Sequence, residues 1–242
     1  QNLVGDPLAL QALVDLLNQH RKEIAFCIAT GRRLDAALKV LREHNIPQPD
    51  VLMTSLGTEI YYAPQLTPDW AWSNHINYLW NRQRVVDLLG DLPGLELQPK
   101  LFQSTFKISY FYDPAIAPSV EELKRILFKN DQTVNVMFSF GQYLDVVPIR
   151  ASKGYGLRWF AEQWEIPLNR ILTVGGSGAD EDMMLGNSLS VVVKNRHREE
   201  LSDLNNIQPI YFSEKEFAAG ILDGLAHYNF LELCRATGQN HD

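Results

Sequence analysis

Directly after the apolar run Ile171-Leu172-Thr173-Val174 the chain reads Gly175-Gly176-Ser177-Gly178, then Ala179 and three acids, Asp180, Glu181 and Asp182. A glycine turn at the end of a buried strand offers backbone N–H groups, and an acid-rich helix start adds carboxylates. That combination suits a phosphate, a metal ion, or both. The same acids also suit a plainer task, complementing a helix N-terminus, generally worth about 0.3–1 kcal/mol each. The turn is no Walker-type phosphate loop, because no Gly-Lys-Ser/Thr follows, and it lacks the third glycine of a dinucleotide fingerprint. Neither a Gly-x-Ser-x-Gly elbow nor a His-Glu-x-x-His pair occurs. Elsewhere, Thr30-Gly31-Arg32, Thr54-Ser55, Lys153 and Lys194-Asn195 stand at or near the ends of apolar runs. Ligands of open parallel sheets bind at the carboxyl ends of the strands. A hydroxyl, a guanidinium, an ammonium and glycine amides gathered at one such edge would suit a phosphate monoester.

The elements that must position these groups read as follows. Leu8 to His20 has helical periodicity, with Pro7 suited to a first turn. Ile24 to Ala29 and Val51 to Thr54 are continuous apolar runs, the pattern of strands buried on both faces, with a helix over Leu34 to His44 between them. This alternation predicts a parallel sheet with helices on its faces. The middle differs. Phe106 to Tyr112 is rich in strand formers, Val120 to Lys129 is helical, and Val134–Phe138 and Tyr143–Val147 flank a hairpin signal at Ser139-Phe140-Gly141-Gln142. Trp70, Trp72, Tyr78 and Trp80 crowd a helix-like stretch and are read as packing of the middle segment rather than a sugar-stacking platform. After Lys153-Gly154 the alternation returns: helix Tyr155–Trp164, strand Ile171–Val174, helix Asp180–Leu185, strand Leu189–Val193, strand Ile210–Phe212 and helix Phe217–His227.

The chain has 242 residues, 45% of them apolar and 21% charged, with a net charge of −7. That is enough for a large core with a smaller inserted unit. The negative charge argues against non-specific binding to nucleic acid or anionic membrane. No apolar stretch approaches the roughly 20 residues of a membrane span. Cys27 and Cys234 show no metal-ligand spacing and no disulfide framework. A cytoplasmic location is the expectation.

Taken in order, Ala29-Thr30-Gly31-Arg32, Lys153-Gly154 and Gly175-Gly176-Ser177-Gly178-Ala179-Asp180 resemble the second, third and fourth motifs of the haloacid-dehalogenase-like phosphatase superfamily, in its sucrose-phosphatase branch. Gly57-Thr58-Glu59-Ile60-Tyr61, Lys107-Ile108-Ser109-Tyr110 and Asp145-Val146-Val147-Pro148 resemble that branch's sugar-facing segments. The resemblance implies an α/β fold: a Rossmann-like core, mainly parallel, over 1–67 and 150–242, with an inserted α+β cap over 68–149. It implies phosphate contacts from Thr30, Gly31, Arg32, Lys153, Ser177 and Gly178. It places Glu59, Lys107, Gln142, Asp145 and Asn195 toward the sugar, and Asp180 as the metal candidate.

Catalysis in such enzymes uses an Asp-x-Asp at the end of the first strand, with Mg²⁺ neutralising the phosphoryl charge. Gln1-Asn2-Leu3-Val4-Gly5-Asp6 resembles the segment that follows that pair, so the nucleophile is expected upstream of residue 1 and no catalytic residue is assigned within the chain. Two departures are internal. Gly176 stands where the metal-holding Asp belongs, and Ala179 where an Asn belongs. This version of the motif resembles the phosphatase-like C-terminal domain of sucrose-phosphate synthases. The resemblance then implies a sucrose 6-phosphate-binding domain in sucrose biosynthesis with weak or no phosphatase activity, an N-terminal glycosyltransferase in the same polypeptide and a separate sucrose phosphatase as a partner. The alternatives are an active Mg²⁺-dependent sucrose-6-phosphate phosphatase and a purely structural interaction domain.

Overall fold

The computed structural model describes residues 2–197, 201, 204 and 210–235. Asp6 accepts hydrogen bonds from the amides of Leu8 and Ala9 and so caps helix α1 (Pro7–Gln19). The chain then forms β1 (Cys27–Ala29), α2 (Leu34–Glu43), β2 (Val51–Thr54), β3 (Glu59–Tyr62) and β4 (Thr67–Pro68). β1 pairs parallel with β2, whereas β3 and β4 return antiparallel, so this sheet is mixed. β2 has the full burial its Val-Leu-Met-Thr sequence demands. β1 is shorter than its apolar run, and all three of its residues are only half-buried. One face of the reason is topological: β1 lies at the edge of its sheet.

A short helix, α3 (Trp70–Ile76), leads into the middle segment, which contains α4 (Arg82–Leu89), β5 (Leu95–Leu97), β6 (Ile108–Tyr112), α5 (Val120–Lys129), β7 (Val134–Ser139) and β8 (Tyr143–Pro148). Its four strands form one antiparallel sheet in the order β5-β6-β8-β7, covered by Val85, Leu89, Leu123 and Leu127 of α4 and α5. The sequence reading missed α4 and β5. The β7–β8 hairpin turns through Phe140 and Gly141, both at positive φ.

The last part holds α6 (Lys153–Gln163), β9 (Leu172–Gly175), α7 (Glu181–Met184), β10 (Leu189–Val192), β11 (Ile210–Phe212), α8 (Phe217–His227) and α9 (Phe230–Arg235). β9, β10 and β11 are parallel, in the order β11-β10-β9. No hydrogen-bonded ladder joins β1 to β9, so the expected continuous sheet is two separate ones among the described residues. α7 is a single turn preceded by the 3₁₀ turn Gly178–Asp180, shorter than the helix expected there.

The tryptophans divide by position rather than serving one layer. Trp72 is buried in the main core with Ile76, Phe160 and Leu157, while Trp80 packs on the middle segment's cluster and Trp70 is exposed. Asp69 caps α3 through the Trp72 amide, and its other oxygen accepts from Tyr62 Oη and Trp159 Nε1 at 2.9 Å each. Farther on, the Arg150 guanidinium lies 4.1 Å over the Tyr78 ring. No helix among the described residues is long and apolar enough to cross a membrane.

Candidate active site

The carboxyl ends of β1 and β9 and the first residue of α6 converge on one cavity of about 1590 Å³. Each contribution has a local cause. The Thr30 carbonyl accepts from the Leu56 amide and the Arg32 carbonyl from the Ser55 amide, which ties the 30–32 turn to the end of β2. Thr30 Oγ1 accepts from the Arg32 amide at 3.2 Å. Arg32 is exposed at the cavity wall, and its guanidinium makes no ion pair among the described residues. On α6, the Ser152 hydroxyl caps the Tyr155 amide and sets Lys153 at the helix start. Gly57, at φ +83°, packs its bare Cα on the Ser152 carbonyl, where any Cβ would collide. The Gly57 carbonyl in turn accepts from Trp72 Nε1 at 3.0 Å, so the buried indole props up the turn that seats Lys153.

Asp180 is the electrostatic centre of this edge. It is 2% exposed, and one oxygen meets Lys153 Nζ at 2.5 Å. Its other oxygen accepts from the Gly176 and Ser177 amides at 2.9 and 3.0 Å, from Ser177 Oγ at 3.0 Å and from Asn2 Nδ2 at 3.3 Å. Burial alone would push this carboxyl up; the Lys153 ammonium, then the Gly176 amide and Ser177, more than offset it and hold it below the ordinary Asp range. A lowered folded-state value means stability that is complete above the unfolded value of about 3.9 and drains away as pH falls through the folded one. Asp180→Asn should therefore be less stable than the parent at pH 7, with the gap closing between about pH 4 and the acid limit in urea titrations. A gap independent of pH would refute the ionised carboxylate.

The amides of Gly176 and Ser177 thus point inward at Asp180, which corrects the expectation that they serve as phosphate donors. Lys153 spends one of its three donors on Asp180. Mg²⁺ fits this donor set poorly. Asp180 is saturated by five donor contacts, Asp182 Oδ2 accepts from the Gly154 amide, and the described residues hold no cluster of three metal-ligating side chains. Gly176 adds no side-chain oxygen; a Cβ there would run into Asn2 Oδ1.

The opposite wall comes from the antiparallel sheet. Lys107 Nζ lies 2.7 Å from Ser109 Oγ and 3.5 Å from Asp145 Oδ1, and the Ser109 hydroxyl donates to the same carboxylate. Ser109 and Asp145 are direct partners across β6 and β8. The hairpin tip closes toward the other layer, with Phe140 edge-on to His197 at 6.0 Å.

So the cavity brings together Thr30, Gly31, Arg32, Lys153, Ser177 and Asp180 with Lys107 and Asp145. Glu59, Gln142, Asn195 and Gly178 do not line it. The Glu59 carboxylate accepts from Thr54 and Ser55 hydroxyls, Gln142 meets the Tyr112 amide through its backbone, and Asn195 Oδ1 accepts from the Phe217 amide at the start of α8. Ser109 lies in a segment read as sugar-facing and Asn2 in the segment read as following the nucleophile pair, but neither was singled out as a site residue. Ser109 was findable, since it lies two residues from Lys107 and so on the same face of an extended segment. Nothing local marked Asn2.

A family model described as sucrose-6F-phosphate phosphohydrolase matches residues 1–229. The chain superposes with a TM-score of 0.90 and 28% identity on the sucrose-phosphatase of Synechocystis sp. PCC6803, a structure in complex with sucrose and phosphate, covering 96% of both chains. It is 29% identical over 222 residues to the probable sucrose-phosphatase 3b of Arabidopsis thaliana, 87% of this chain and 52% of that protein. It is also 26% identical over 229 residues to the glucosylglycerol-phosphate synthase of Pseudomonas anguilliseptica, 95% of this chain but 30% of that protein. The chain spans about half the length of the first plant relatives it matches. With the α/β fold, the motif order and a match over nearly the whole chain in agreement, this protein belongs to the sucrose-6F-phosphate phosphohydrolase family.

Proposed function

We propose that the cavity binds a phosphorylated disaccharide of the sucrose 6-phosphate class. The carrying observation is the pairing, across one cavity, of the Arg32 guanidinium, without an ion pair among the described residues, and Lys153 with the Lys107–Ser109–Asp145 group. Cations with spare donors suit the phosphoryl oxygens. A lysine and a carboxylate locked side by side suit sugar hydroxyls, which both donate and accept. The Synechocystis relative, in complex with sucrose and phosphate, supports both halves of that ligand.

Turnover is a separate matter. The names of the relatives favour a working phosphatase. Gly176 and the saturated Asp180 favour binding with weak hydrolysis. A fused arrangement, with this domain behind a glycosyltransferase that makes the sugar phosphate, is supported by the synthase relative of which it matches 30%. Docking of a separate sucrose phosphatase would then hand the product on.

Calorimetry with sucrose 6-phosphate tests the binding. Arg32→Ala should weaken it about tenfold to a hundredfold, the worth of a charge-assisted contact. Sucrose itself should bind much more weakly than its phosphate. Equal affinity for both sugars, or no effect of the arginine, would sink the phosphate anchor. Phosphate release from sucrose 6-phosphate decides turnover.

A further inference from the structure

Three aromatic rings stand on the cavity side of the antiparallel sheet and its hairpin tip. Phe111 is 40% exposed and Phe140 45%, and Tyr143 is half-buried between them. Ile108, Tyr110 and Tyr112 alternate with the cavity-facing residues of β6 and point the other way, into the core under α4 and α5. The rings on the cavity side are therefore no part of that core.

Their arrangement is regular. Phe111 and Tyr143 are direct partners across β6 and β8, with ring centroids 6.2 Å apart. Phe140 stands edge-on to Tyr143 at 6.3 Å. Two residues back along each strand, on the same face, Ser109 lies opposite Asp145, with Lys107 Nζ on the Ser109 hydroxyl. A polar pair and an aromatic pair thus face the cavity side by side, about 7 Å apart along the strands. Contacts between the lobes flank this wall. The Arg33 guanidinium reaches the Lys100 and Gln103 carbonyls at 3.4 Å each, and Phe140 meets His197. That leaves the wall to a small molecule rather than to a protein or a lipid surface.

A pyranose chair with equatorial hydroxyls has a polar rim and two flat C–H faces. It needs hydrogen-bonding groups at its rim and an apolar plane beneath, and an aromatic ring is such a plane. A furanose is smaller and puckered, and presents no comparable face. None of the tryptophans lines the cavity, so the stacking surface available is this one.

We propose that Phe111 and Tyr143 form a stacking shelf for the glucopyranosyl ring of the phosphorylated disaccharide, with Phe140 as its end wall and the Lys107–Ser109–Asp145 group taking hydroxyls at the rim. The inference rests on the sucrose 6-phosphate reading and adds which half of that ligand the shelf selects: the ring that carries no phosphate.

Phe111→Leu and Tyr143→Leu keep apolar bulk and remove the flat ring. In calorimetry each should weaken sucrose 6-phosphate about fivefold to tenfold, the worth of one aromatic contact. Fructose 6-phosphate, which lacks the glucosyl ring, should bind both variants as it binds the parent, which also shows that they fold. Arg32→Ala should weaken both ligands alike. Plain sucrose at high concentration gives a reading free of the phosphate anchor. In saturation-transfer NMR, magnetisation from the protein's aromatic protons should reach the glucosyl C–H protons most strongly. That signal should survive Arg32→Ala and fall in the Phe111→Leu, Tyr143→Leu double variant. An equal loss for both sugar phosphates, no loss for either, or saturation spread evenly over the two rings of sucrose would overturn the shelf. An idle Arg32 with the glucosyl signal intact would instead strike the phosphate anchor alone.

Discussion

Lys153→Met should cost the fold about 3–5 kcal/mol in urea denaturation at pH 7, the usual toll for stranding one partner of a buried ion pair. The Lys153 and Asp180 side chains are 7% and 3% exposed, so water cannot step in for the lost ammonium. Methionine keeps an unbranched apolar stem, so the loss reports charge rather than volume. The neutral donors on Asp180 remain, but they are dipoles facing a full negative charge. Adding Asp180→Asn to the first change removes that charge and should recover a large part of the stability. A cost below about 1 kcal/mol for Lys153→Met would place the pair among ordinary surface bridges. The same comparison separates folding from ligand capture. If the double variant is folded yet fails to bind sucrose 6-phosphate, Lys153 is needed at the phosphate and not only beneath it.

Gly176→Asp, which puts an acid where the resemblance expects one, should destabilise this chain by about 1–3 kcal/mol, because its Cβ invades the space of the Asn2 carboxamide. The new carboxylate would also stand beside Asp180. Val193 Cγ2, 3.2 Å from the same Cβ position, leaves little room to retreat. Asn2→Ala alone should be mild, since it forfeits one long hydrogen bond to Asp180. Combined, the two changes should largely cancel the clash, and Mg²⁺ should then raise the Tm of the double variant while leaving the single Asn2→Ala variant unmoved. No magnesium response in the double variant would show that position 176 is not where the missing acid matters. Additive losses, with no recovery, would show that Asn2 and Gly176 are not spatially matched.

These two residues show what the sequence could and could not disclose. That Thr30, Arg32, Lys153 and Ser177 would gather at one cavity was readable, because each sits in a short stretch at a strand or helix end. Lys153 and Asp180 were both named, but not that they bind one another, since their pairing spans 27 positions. The Gly176 and Ser177 amides were misjudged for the same reason: local sequence offers N–H groups, and only the fold shows that Asp180 takes them. Glu59, Gln142 and Asn195 were carried over from resemblance, which fixes a position along the chain but not which neighbour satisfies the side chain. In the fold, periodicity located α1, α2, α5 and α8 well. It could not show that β1 would be short and half-buried, because that depends on what lies beside it in space. α4 and β5 were lost amid charged and glycine-proline residues that mute both periods.

The fastening of α3 has a mechanical result. With Asp69 gripped by Tyr62 and Trp159, and Trp72 sunk into the main core, that helix is a fixed post of the larger lobe although it precedes the smaller one. Any swing of the antiparallel sheet over the cavity must then be taken up beyond the post, at the two chain crossings near 77–81 and 149–151. Arg150 lies on Tyr78 there, so the ingoing and outgoing strands of the pivot are coupled to each other. The smaller lobe would thus turn as one piece about a short axle, carrying Lys107 and Asp145 together toward or away from Thr30 and Lys153.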